Sequence, residues 1–143
     1  MKKNDKNTND LQQKLMQSPD LSSFLSDNQE SFNKETVSEI LSRLFASKNI
    51  SKATLAKQAG MSEIYLHQIF AGRRNPSRNR LLCICYGLGA SLEETQELLK
   101  LCSLAQLYPK CRRDAIILYG LVHKIDLFEI NDILFEENEE ILL

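Results

Sequence analysis

Residues 51–79 read SKATLAKQAGMSEIYLHQIFAGRRNPSRN: two short amphipathic segments, a Gly-Met-Ser break between them, and an arginine-rich turn after the second. Ser51 stands where a hydroxyl can accept from a first-turn amide and cap a helix, and Leu55, Ala56 and Ala59 follow on the inward side. Gly60 supplies the left-handed residue that ends this helix. Ser62 caps the next segment, with Leu66, Ile69 and Phe70 inward and Gly72 as terminator. Two helices cross closely when small residues lie at the contact and a permissive residue lies in the turn. Ala56 and Gly60 meet those demands, and Leu66 and Ile69 give the second helix an apolar inner face.

The same grammar extends on both sides. Thr36-Val37-Ser38-Glu39 is a capping box that opens a helix carrying Val37, Ile40, Leu41, Leu44 and Phe45, ending near residues 47–49. Asn75-Pro76-Ser77 turns into the cap of a helix bearing Leu81, Ile84, Cys85 and Leu88, and Ser91-Leu92-Glu93-Glu94 opens another with Thr95, Leu98, Leu99 and Cys102. Beyond Tyr108, Pro109 is expected at the first position of a sixth helix, where its missing amide proton costs nothing, and that helix carries Ala115, Ile116, Leu118, Leu121 and Val122. Asp126 and Glu129 mark a seventh, reading Leu127, Phe128, Ile130, Ile133 and Leu134. The expected fold class is all-α: a five-helix domain at residues 34–103 and a two-helix carboxy-terminal extension with an acidic end at 104–143. Residues 1–33, polar and anchored by Leu11, Leu15, Leu21, Phe24 and Leu25, read as a partly disordered tail with one or two helical turns.

Bulk composition agrees with one domain plus tails: 143 residues, 43% hydrophobic, 26% charged, few glycines and prolines. The opening MKKNDKNTND is not followed by an apolar core, so no secretory leader is expected, and LLCICYGLGA is too short to span a membrane. Cys83, Cys85, Cys102 and Cys111 lack paired Cys-x-x-Cys spacing, so buried or half-buried thiols in a reducing cytoplasm are expected, with no metal or other cofactor.

The net charge of −1 conceals segregation. Residues 48–80 hold seven basic residues against Glu63 alone, a net charge of +6, and residues 125–143 hold seven acidic residues and no base, a net charge of −7. Either the middle meets a polyanion, or the two segments neutralise each other within one fold.

With Ile50-Ser51, Leu55-Ala56, Gly60-Met61-Ser62, Leu66, Ile69, Gly72-Arg73-Arg74-Asn75-Pro76-Ser77 and Leu88-Gly89-Ala90-Ser91-Leu92-Glu93-Glu94 in place, residues 36–99 resemble the Cro and phage-repressor (XRE-like) family of helix-turn-helix transcriptional regulators. The resemblance implies a major-groove reader of double-stranded DNA, a cytoplasmic location and a homodimer on paired half-sites. It gives Lys52 a phosphate contact at a helix start, places Ser62, Glu63, Ile64 and Gln68 towards base edges with Tyr65 beside them, and gives Arg73, Arg74 and Arg78 the flanking backbone.

One stretch departs from the family pattern. Glu63-Ile64-Tyr65 stands where glutamine, arginine, serine or threonine is usual. Glutamate can accept from a cytosine amino group and isoleucine can pack on a thymine methyl, whereas Glu63 also repels phosphate and an exposed Ile64-Tyr65 pair suits a protein partner. Two readings stand: a sequence-specific DNA-binding regulator, or an adaptor or antitoxin-like module that uses Ile64, Tyr65 and Phe70 on the same scaffold. The two histidines, His67 and His123, are far apart in sequence, no Gly-rich phosphate loop or His-Glu-x-x-His helix is present, and no enzymatic activity is expected. Lys110, Arg112 and Arg113 crowd an expected helix start, where an anion must offset them; the glutamates near 129–140 can do so within the chain or across a dimer.

Overall fold

A computed structural model of the chain describes residues 8–32 and 35–143. The chain divides into two compact units, Met1–Lys34 and Glu35–Leu143. Among the described residues every regular element is helical: α1 (Thr8–Gln17), α2 (Leu21–Asp27), a 3-10 turn (Gln29–Ser31), α3 (Val37–Ala46), α4 (Lys52–Gln58), α5 (Glu63–Phe70), α6 (Arg78–Leu88), α7 (Leu92–Leu101), α8 (Arg112–Val122) and α9 (Leu127–Glu136). The fold is all-α.

In the first unit, α1 and α2 exceed the one or two turns expected. Pro19 stops the first helix and Asp20 caps the second by accepting from the Ser23 amide at 2.7 Å. Phe24 is buried there with its ring edge-on to Phe32. Residues 1–7 and 33–34 of the expected tail and its boundary lie outside the described residues.

In the second unit the caps form as their sequences require. Thr36 and Glu39 close a reciprocal box on α3, Ser91 and Glu94 do so on α7, and Ser51, Ser62, Ser77 and Asp126 each accept a first-turn amide. Gly60 takes φ 66° between α4 and α5, the left-handed geometry in which a Cβ would be strained. Helix α6 is the spine: Leu81, Leu82, Cys83, Ile84, Cys85 and Leu88 are buried, with α4, α7 and α9 packed around it. One continuous core joins α3 to α9, including Leu41, Leu55, Leu66, Leu99, Ile117, Ile130 and Leu134. Burial pushes the Cys83 and Cys85 thiols up to about 11 and about 12, so both stay protonated and behave as small hydrophobes. Cys102 is half-buried, but Cys111 is exposed, contrary to expectation.

The extension differs from expectation in two places. Pro109 is not the first residue of a helix; it is the second residue of a turn in which the Cys111 amide donates to the Tyr108 carbonyl at 2.9 Å, and α8 begins at Arg112. The buried stripe of α8 is Asp114, Ile117, Gly120 and Leu121, whereas Val122 is exposed and Ala115, Ile116 and Leu118 are half-buried. A buried carboxylate and a glycine set this phase. On α9, Leu127, Ile130 and Leu134 are buried but Phe128 is 50% exposed.

The acidic end is partly structural. Arg112 forms ion pairs with Glu137 and Glu139, and Arg113 donates to the carbonyls of Glu140 and Ile141, so Arg112 finds its counter-charge and Arg113 its acceptors within the chain. Leu142 is buried, and its amide donates to Asn131 Oδ1 at 2.7 Å.

Glu94 caps α7 and also pairs with Lys48 at 2.7 Å, and the Lys48 ammonium, followed by the Ser91 amide, holds its carboxyl below the ordinary value of 4.5. A depressed folded value means stability that is fully present above about 4.5 and lost as pH falls through the folded value. Urea denaturation at pH 7 and pH 3 should show a smaller acid-induced loss in Glu94→Gln than in the parent chain. An equal loss would place the acid sensitivity in other carboxylates.

Candidate nucleic-acid interface

Helix α5 buries Leu66 and Ile69 and turns Glu63, Ile64 and His67 outwards, because a 3.6-residue repeat separates those two sets. At its head the Ser62 hydroxyl accepts from the Tyr65 amide at 3.1 Å and remains able to donate. Ile64 is 74% exposed. Lys52, at the first position of α4, is exposed, with its ammonium 5.2 Å from the Phe70 ring centre. Phe70 is half-buried and packs edge-on against Phe45.

The turn after α5 returns over the same helix. The Arg73 amide donates to the Gln68 carbonyl at 2.9 Å, and Arg74 Nε donates to Gln68 Oε1 at 3.0 Å. The guanidiniums of Arg74 and Arg80 each lie 5.4 Å from the centre of the Tyr65 ring. Such contacts attract the guanidiniums to the face of the ring. Tyr65 is therefore a platform for arginines, not an open aromatic patch.

Apart from Lys52 on α4, the residues expected at the interface separate into three groups. Ser62, Glu63 and Ile64 stand together at the head of α5, and Tyr65, Gln68 and Arg74 form one cluster at its middle and end, with Arg73 exposed in the adjoining turn. Arg78 is diverted: it donates to the Ala105 and Gln106 carbonyls at 2.8 and 3.2 Å and pairs with buried Asp114 at 3.0 Å. This is internal bonding, not a free phosphate grip. Arg80 joins the Tyr65 cluster although only its charge marked it in the sequence.

Charge segregation survives folding. Of the seven bases at 48–80, Lys48 pairs with Glu94 and Arg78 with Asp114, while Lys52, Lys57, Arg73, Arg74 and Arg80 enter no ion pair among the described residues. The acidic end pairs with Arg112 instead. A separate cleft of about 670 Å³ includes Lys57 and Lys124 in its lining, at the carboxy-terminal ends of α6 and α8. Those carbonyl-rich ends account for cations there. No described helix is long and apolar enough to cross a membrane.

No curated protein and no solved structure matches the chain. A family model described as a helix-turn-helix domain matches residues 39–98, which span most of α3, all of α4, α5 and α6, and most of α7. With α4 and α5 joined through a left-handed Gly60 and the outer face of α5 open to solvent, residues 39–98 of this chain form a helix-turn-helix domain.

Proposed function

We propose that the chain is a cytoplasmic, non-catalytic transcriptional regulator that binds duplex DNA sequence-specifically with α5 in the major groove. The observation that carries this reading is the set of four bases without ion pairs, Lys52, Arg73, Arg74 and Arg80, in and around a recognition-type helix with an exposed head. Lys52 and Arg73 hold phosphates, and Ser62, Glu63, Ile64 and Gln68 meet base edges: Glu63 accepts from a cytosine amino group and Ile64 covers a thymine methyl. The active species is a homodimer, whose half-sites lie about 34 Å apart, one turn of the double helix. Exposed Tyr119 and Val122 on α8 and Phe128 and Phe135 on α9 supply apolar surface for that association.

The adaptor reading draws on exposed Ile64, but its other two anchors are occupied: Tyr65 lies against two arginines and Phe70 packs on Phe45. Fluorescence anisotropy with a selected duplex across a salt series tests the regulator reading. Lys52→Ala combined with Arg73→Ala should weaken binding to all sequences and flatten the log-log salt slope by about 0.9 per lost phosphate contact. An unchanged slope would remove both residues from the DNA interface.

A further inference from the structure

The contact between Arg74 and Gln68 fixes what the glutamine offers. A guanidinium Nε–H can only donate, so the Gln68 atom facing it at 3.0 Å is the carbonyl oxygen, and the orientation of the amide follows from chemistry. The NH2 group points the other way and has no hydrogen-bond partner among the described residues. Arg74 is itself held by the Tyr65 ring, which Arg80 braces as well. Gln68 is half-buried.

A free glutamine reads adenine with both ends of its amide, donating to N7 and accepting from the N6 amino group. Here Arg74 occupies one of the two lone pairs of the accepting oxygen, and its positive charge beside that oxygen opposes the approach of an adenine amino group. Guanine presents O6 and N7, both acceptors, which suit an NH2 donor flanked by a cation. We infer that Gln68 reads the groove through its NH2 donor and selects guanine over adenine, and that Arg74 is the positioning residue that imposes this choice. The inference rests on the DNA-reading function proposed above.

Site selection from a random duplex library with the full-length chain, followed by competition titrations, tests it. The position whose preference disappears in Gln68→Ala should be a G·C pair with guanine favoured roughly five- to ten-fold over adenine. Arg74→Met keeps the side-chain stem and removes every donor; it should lower affinity for all sequences alike through the lost charge, and shift the preference at that one position to adenine or to equal use while the preferences at the other positions are kept. Thermal denaturation of both variants excludes misfolding, since Arg74 is exposed and Gln68 is outside the core. Adenine preference in the parent chain, no position that depends on Gln68, or an unchanged guanine preference in Arg74→Met would each overturn the inference while leaving the regulator intact. Enrichment of no sequence at all would overturn both.

Discussion

Asp114→Ala should destabilise the second unit by about 3–5 kcal/mol, the usual loss when one partner of a buried ion pair is removed. The Asp114 side chain is 8% exposed and accepts from Arg78 Nη2 at 3.0 Å and from the Tyr108 amide at 2.9 Å. Arg78, itself 24% exposed, also donates to the Ala105 and Gln106 carbonyls. The pair therefore joins three pieces of chain: the start of α6, the connection at 102–111, and the start of α8. Truncating the aspartate leaves a partly buried guanidinium without its counter-ion and an amide without its acceptor. Urea denaturation measures the loss, and Asp114→Asn, which keeps shape but removes charge, should fall between the parent and Asp114→Ala. A loss below about 1 kcal/mol would mean that solvent replaces the carboxylate, as it does for surface pairs.

That ion pair marks the boundary of what the sequence discloses. Caps at Thr36, Ser51, Ser62, Ser77, Ser91 and Asp126 are legible because donor and acceptor lie three residues apart, and geometry within one turn permits little else. The phase of α8 is not legible by the same means. Apolar counting puts Val122 inside, but the inward stripe contains Asp114, whose partner is 36 residues away, and Gly120, whose neighbours come from α6 and α9. Pro109 fails for a related reason: the Tyr108 amide before it donates to the Asp114 carboxylate and the Cys111 amide after it donates to the Tyr108 carbonyl, so a turn forms before the helix can begin.

The interface shows the same division. Helical spacing suffices to turn Glu63 and Ile64 outwards, because exposure on α5 depends only on Leu66 and Ile69 being inward. The diversion of Arg78, the stacking on Tyr65 and the bond from Arg74 to Gln68 depend on which side chains meet across a turn. Three arginines of similar local context thus take different roles: Arg73 is open, Arg74 orients the Gln68 amide and Arg78 holds the fold together. Charge counting alone treats them alike.

Gly120→Ala separates local propensity from packing most sharply. Alanine is the better helix former by about 1 kcal/mol, so sequence alone expects a gain. In the folded chain a Cβ at residue 120 would lie 2.3 Å from Tyr86 Oη and 2.8 Å from Ile130 Cδ1. Tyr86 cannot yield cheaply, because its hydroxyl donates to the Ile117 carbonyl at 2.7 Å and its ring is half-buried. Displacement adds overpacking strain to a lost hydrogen bond, for a net destabilisation of about 2–4 kcal/mol against the propensity gain. The partner substitution identifies the cause. Tyr86→Phe removes the oxygen at 2.3 Å, so Gly120→Ala should cost less in that background than in the parent, with the coupling measured by a double-mutant cycle in urea. An additive cycle would assign the strain to Ile130, and a Gly120→Ala variant as stable as the parent would show that α8 moves away from α6 without loss.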